Sequence, residues 1–174
     1  MVESWCELKI DFMFIGQNDG CIVCDGKTDK LNAKLIYDEH VRPFNEIRGE
    51  ELRWRFDDYG NMFIRSQPME LKKRLHENYD SCRRLAYSIT QRHCIPVTYY
   101  QYIPFDGDEN VVGRIYNNAR RLKFNDIYSH NIFIEVVSVD GKEYIRLSAT
   151  VYSPLFIDKF LDTFYKTLPE RWFE

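Results

Sequence analysis

Apolar and polar positions alternate near the start of the chain. Leu8, Ile10, Phe12 and Phe14 fall on one side, and Glu7, Lys9 and Asp11 on the other. A period of two predicts a strand over 5–15 with one face in solvent. Gln17-Asn18-Asp19-Gly20 then brings residues that tolerate positive φ, and Cys21 to Asp25 is short and β-branched, so a hairpin is expected there. Ala33 to Tyr37 reads as a further strand, and the charged stretch 38–50, with Pro43 and Gly49, as a loop. Leu52 to Phe56 alternates again. Asp57-Asp58-Tyr59-Gly60-Asn61 has turn chemistry, and Met62 to Arg65 is the returning strand.

Beyond Ser66 and Gln67 the period changes. Leu71, Leu75, Tyr79, Cys82, Ala86, Ile89 and His93 recur at steps of three or four, the stripe of an amphipathic helix that Pro68 opens and Pro96 stops. Ile95 to Ile103 is β-branched and aromatic, which predicts a strand. A weaker helix is expected over 109–122, with Val112, Ile115, Tyr116, Ala119 and Leu122 inward and Asp108 or Asn110 as its cap. Asp140-Gly141, between the apolar runs 131–139 and 143–151, is a strong hairpin signal. Ser153-Pro154 opens a last helix with Phe156, Ile157, Phe160, Leu161, Phe164 and Leu168 on its buried face. Tight turns between strands imply antiparallel pairing. The expected fold is α+β, in a single domain over 1–174. Its antiparallel sheet is built from hairpins, with one long central helix and a C-terminal helix packed on one face.

Composition narrows the function by exclusion. The chain has 174 residues, 44% hydrophobic and 29% charged, ordinary for a globular protein with its own core. With 12 Phe, 12 Tyr and 3 Trp it has too much to bury for general disorder. No apolar run approaches the roughly 18 residues of a membrane helix. The N-terminus carries Glu3 and no basic region, unlike a secretory signal. A net charge of -3 argues against a dominant nucleic-acid footprint. Cys6, Cys21, Cys24, Cys82 and Cys94 are odd in number and scattered, which suggests no disulfide framework and points to the reducing cytoplasm.

The candidate chemistry is thin. Cys21-Ile-Val-Cys24 has zinc-like spacing, but its β-branched middle favours extended backbone, which sends the two thiols to opposite faces. His93-Cys94 places a base beside a thiol nucleophile; a helix-end histidine beside a core cysteine accounts for it. Asp106 to Asn110 lacks the spacing of a calcium loop and reads as a turn before a helix. There is no G-x-S-x-G, P-loop or G-x-G-x-x-G. No catalytic residue, metal ligand or cofactor is assigned on these grounds.

Tyr144-Ile-Arg-Leu-Ser-Ala-Thr-Val-Tyr-Ser153, followed by Ile157-Asp158-Lys159-Phe160-Leu161, resembles the last strand and helix of class V aminotransferase-like enzymes. That resemblance implies a large domain with a pyridoxal-phosphate lysine. The chain has no room for one, so no site is carried over.

The aromatic excess is the more useful signal. Tyr99, Tyr100, Tyr102 and Phe105 share one stretch, and a strand sends only half of such residues inward. They are therefore the expected contact residues of a non-catalytic domain that binds another protein, or a second copy of itself, as regulator, inhibitor or accessory factor. The alternative is a nucleic-acid or nucleotide binder using Arg83, Arg84, Arg120 and Arg121. A Cys/His enzyme built on His93 and Cys94 ranks third.

Overall fold

The alternation at the N-terminus does become a strand, and that strand organises the sheet. The computed structural model describes residues 3–12, 32–49, 51–70, 75–93, 95–121 and 130–151. The expected hairpin through Cys21 and Cys24 and the expected C-terminal helix lie outside these residues. Among the described residues the fold is mixed α+β, with a seven-stranded antiparallel sheet and three helices.

Strand β1 (Glu3–Asp11) is central. On one edge it pairs with β3 (Asn61–Arg65), which in turn pairs with β2 (Arg53–Phe56). On its other edge lies β5 (Val97–Pro104), followed by β7 (Lys142–Val151) and β6 (His130–Val139). The two-residue β4 (Met69–Glu70) pairs with the start of β1. Between β3 and β4 the Ser66 N–H donates to the Cys6 carbonyl, and Ser66 Oγ accepts from the Cys6 N–H, both at 3.0 Å. The register then slips by one residue, from Glu7↔Arg65 to Ser4↔Met69. Pro68 sits in that slip, where a residue without an N–H leaves no ladder bond broken.

The helix expected to open at Pro68 is therefore corrected: Pro68 precedes a strand, and α2 is described as Leu75–His93. Its apolar stripe is real over the part whose side chains are described, with Cys82, Leu85, Ala86 and Ile89 all 0–1% exposed. A second correction concerns 33–48, read as strand and loop. It is helix α1, formed by Ala33–Ile36, a π-helical stretch Tyr37–Val41 and Arg42–Arg48. Asn32 caps it, its side chain accepting from the Leu35 N–H at 3.0 Å, and Gly49 ends it at φ 66, a left-handed position suited to glycine. Pro43 cannot donate to the carbonyl four residues back, and the widened π turn directly precedes it. Helix α3 (Glu109–Arg121) is capped by Asp108, whose Oδ1 accepts from the Asn110 N–H. The Asp140-Gly141 hairpin forms as its chemistry requires, with φ 51 and 81.

The alternation along the strands divides the sheet into two faces. Leu8 lies opposite Ile64 and Tyr99, and Tyr99 opposite Ala149. All four are fully buried and belong to the core beneath the helices. Helix α2 packs on β1 and β5, and α1 packs on α2 through its π turn. A third correction follows from this packing. Cys6 of β1 and Cys82 of α2, 76 residues apart, form a disulfide that ties the central strand to its helix. Scattered spacing concealed the pair because a strand and the helix packed on it can be far apart in sequence.

Gly113 lies in the interior of α3, and a Cβ placed there meets nothing within 4 Å. Gly113→Ala is expected to stabilise the protein by about 0.5–1 kcal/mol through helix propensity. Thermal denaturation checks this, and a lower Tm contradicts it.

Candidate functional site

The other face of the sheet carries no described helix. It displays the odd positions of β1 and their neighbours: Trp5↔Tyr102↔Arg146↔Glu135 in one row, and Arg65↔Glu7↔Tyr100↔Ser148↔Phe133 in the next. Trp5 stacks on Tyr102 with ring centroids 4.9 Å apart and meets the edge of Tyr144 at 4.6 Å. Arginines lie over the rings: Arg65 over Trp5 at 4.2 Å, Arg55 over Phe63 at 4.0 Å and Arg146 over Tyr100 at 5.3 Å. Such stacking holds guanidinium groups flat against the face while leaving their edges able to donate.

Glu7 lies in the middle and is only 4% exposed, so the expected solvent side of β1 is not wet there. Its Oε1 accepts from the Tyr102 hydroxyl at 3.3 Å, and Arg55 stands 4.0 Å from its Oε2. Burial pushes the Glu7 carboxyl above the usual carboxylate range, against the pull of Arg55, Tyr102, Arg65 and Arg146. Burial likewise raises the Tyr100 and Tyr102 hydroxyls, which stay protonated at neutral pH. Arg146 donates to Glu135, which anchors it at the β6–β7 side of the face.

The four aromatic residues expected to meet a partner are divided by this geometry. Tyr100 and Tyr102 are neighbours on the face opposite the described helices, 6.5 Å between centroids; Tyr100 is half-buried and Tyr102 is 7% exposed. Tyr99 is a correction. It points into the core with 0% exposure, and its hydroxyl donates to Gln101 Oε1 at 2.7 Å. Phe105 is half-buried and packs against the same core. Of the arginines, Arg83 is half-buried and Arg84 exposed, both on α2 in the helical layer; Arg120 and Arg121 end α3, and their side chains lie outside the described ones. Arg55, Arg65, Arg146 and Glu7 were not singled out from the sequence. Alternation marked their strands, but only the register places them in adjoining rows.

A second cluster joins α1 to α2. The π turn carries Glu39 and His40, and α2 ends at His93. His40 Nε2 and His93 Nε2 are 2.7 Å apart, both residues 6% exposed, and the tautomers decide which donates. Glu39 Oε2 lies 3.7 Å from His93 Nε2 and accepts from Arg92 Nε at 2.8 Å. Burial, reinforced by His93, pushes the His40 imidazole down to about 4, so it is neutral at pH 7. Arg92 holds the Glu39 carboxyl below its ordinary range. His93 thus faces another histidine, while Cys94 lies outside the described residues.

No protein-family model matches this sequence, and no curated protein does. The local resemblance to class V aminotransferase-like enzymes falls on β7, an ordinary hairpin strand, and gains no support.

Proposed function

We propose that the chain is a non-catalytic binding module that regulates or assists another protein, and that the face of its sheet opposite the described helices is the recognition surface. One observation carries this reading: Tyr100 lies half-buried beside Glu7 with Arg146 over its ring, in a field of stacked arginines. Tyr and Arg are enriched among the residues that dominate interface energetics, Tyr because a large ring comes with few torsions to freeze and Arg because its planar fork is pre-organised to donate. Arg53, Arg55, Arg65 and Arg146 outnumber Glu7 and Glu135 in the rows around Tyr100, within a chain of net charge -3. An acidic segment of the partner is the complement of that field. Cytoplasmic residence belongs to the same proposal, and in that compartment Cys6 and Cys82 would be held as thiols. Among the described residues, no helix is long and apolar enough to cross a membrane.

The nucleic-acid alternative keeps one supporting feature, since aromatic and arginine side chains on an antiparallel sheet face are also how single-stranded RNA is stacked. Affinity capture from native lysate, with and without nuclease, separates the two. Partner protein is expected in both arms, with capture lost in Arg55→Glu and reduced about tenfold in Tyr100→Ala, whose Tm should fall by only about 2–4 °C. Glu7→Gln is expected to strengthen capture, because it removes the carboxylate that competes for the arginines. Equal capture by all variants refutes the sheet-face reading. Capture that vanishes only with nuclease transfers the function to nucleic acid.

A further inference from the structure

We propose that Glu39, His40 and His93 form a binding site for a late first-row divalent cation of the zinc class, bridging α1 and α2. The three side chains offer two imidazole nitrogens and a carboxylate oxygen, all within 4.8 Å of one another. This is the donor set of open zinc sites, in which three protein ligands leave a further position to water or a bound molecule. Imidazole excludes magnesium and calcium as the natural occupants.

Three features of the fold converge on this cluster. First, the ligands come from two helices and meet at one point although His40 and His93 are 53 residues apart. Second, the π-helical stretch Tyr37–Val41 turns less per residue than an α-helix, so the adjacent Glu39 and His40 both reach His93. Such widened turns are expensive locally and concentrate at functional sites. Third, Arg92 already orients the Glu39 carboxylate through its Nε at 2.8 Å, as outer-shell partners of metal ligands do. The two buried imidazoles and the exposed Glu39 make the site closed on one side and reachable from solvent at Glu39.

In the structure the two rings are hydrogen-bonded, 2.7 Å from nitrogen to nitrogen. Two nitrogens on one tetrahedral zinc stand about 3.3 Å apart, given zinc–nitrogen bonds of about 2.0–2.1 Å. The rings must therefore part by about half an ångström and give up the shared proton. That movement is within reach of side-chain rotation.

The test is titration of the full chain with Zn²⁺ at neutral pH by calorimetry, with Co²⁺ as a spectroscopic probe and Mg²⁺ as control. One equivalent is expected to bind with micromolar or tighter affinity, and Co²⁺ is expected to give visible d–d bands without the near-ultraviolet bands of thiolate ligation. His40→Ala and His93→Ala should each weaken binding on the order of 100-fold, and Glu39→Gln about 10-fold or more. The unmutated protein supplies a readout that does not depend on the variants folding. No heat and no cobalt spectrum overturns the proposal. So does binding that survives all three substitutions, or a spectrum dominated by thiolate, since either places the ion elsewhere.

Discussion

Reduction of the Cys6–Cys82 disulfide is expected to destabilise the fold by about 4 kcal/mol, from the chain entropy that a bond closing so long a loop removes from the unfolded state. The sequence separation is 76 residues, and both cysteines are 0% exposed. For a chain of this size that corresponds to a fall in Tm of about 10 °C. Burial adds a kinetic expectation: reductant reaches the bond only when α2 opens from β1, so reduction of the native protein is slow and accelerates in mild denaturant. Urea denaturation of oxidised, reduced and Cys6→Ala/Cys82→Ala protein measures the effect. The double variant should match the reduced form, because alanine leaves no polar atom stranded in the core. A midpoint that does not move on reduction, with both thiols shown free by alkylation, contradicts the expectation. In a reducing cytoplasm the lower stability is the relevant one.

The second large effect separates neighbours on one strand. Tyr99→Ala is expected to cost about 3–5 kcal/mol, because it empties a large, fully enclosed site between β1 and β7. Tyr100→Ala, one residue further along, should cost about 1 kcal/mol and act on recognition instead. Tyr99→Phe isolates the polar part. It removes the hydroxyl that donates to Gln101 Oε1, while Gln101 Nε2 still donates to the Trp5 carbonyl at 3.3 Å. A buried acceptor left without its donor costs about 1–3 kcal/mol. Chemical denaturation of the three variants gives the ordering Tyr99→Ala, Tyr99→Phe, Tyr100→Ala from most to least destabilised. An inverted order of Tyr99 and Tyr100 would mean that the register across β1, β5 and β7 is wrong.

That pair shows how far local pattern reaches. The stretch from Ile95 to Ile103 reads correctly as a strand, since β-branched and aromatic residues favour it. Alternation also says that Tyr99 and Tyr100 face opposite ways, but not which of them faces the helices. Residues 33–48 fail for a different reason. Ile36, His40, Val41 and Phe44 do carry a helical spacing, but Pro43 interrupts it and the high charge resembles a loop. The compensation is a π turn, which no residue type announces. Likewise Pro68 looks like a helix start because its chemistry fits one, and it serves a bulge opposite β1 equally well.

What the amino-acid order determined by itself is local: alternation for the strands, Asp140-Gly141 for the last hairpin, a cap at Asp108 or Asn110, and a stripe of apolar residues for α2. These depend on backbone preferences and spacing within a few residues, so they are present in the chain before it folds. Only the tertiary structure decided which face of each strand is buried, that Cys6 meets Cys82, that Glu7 is enclosed among arginines, and that His40 and His93 touch. Each of those joins residues tens of positions apart. Their proximity is set by sheet order and register, which depend on the packing of the whole core and leave no short-range trace.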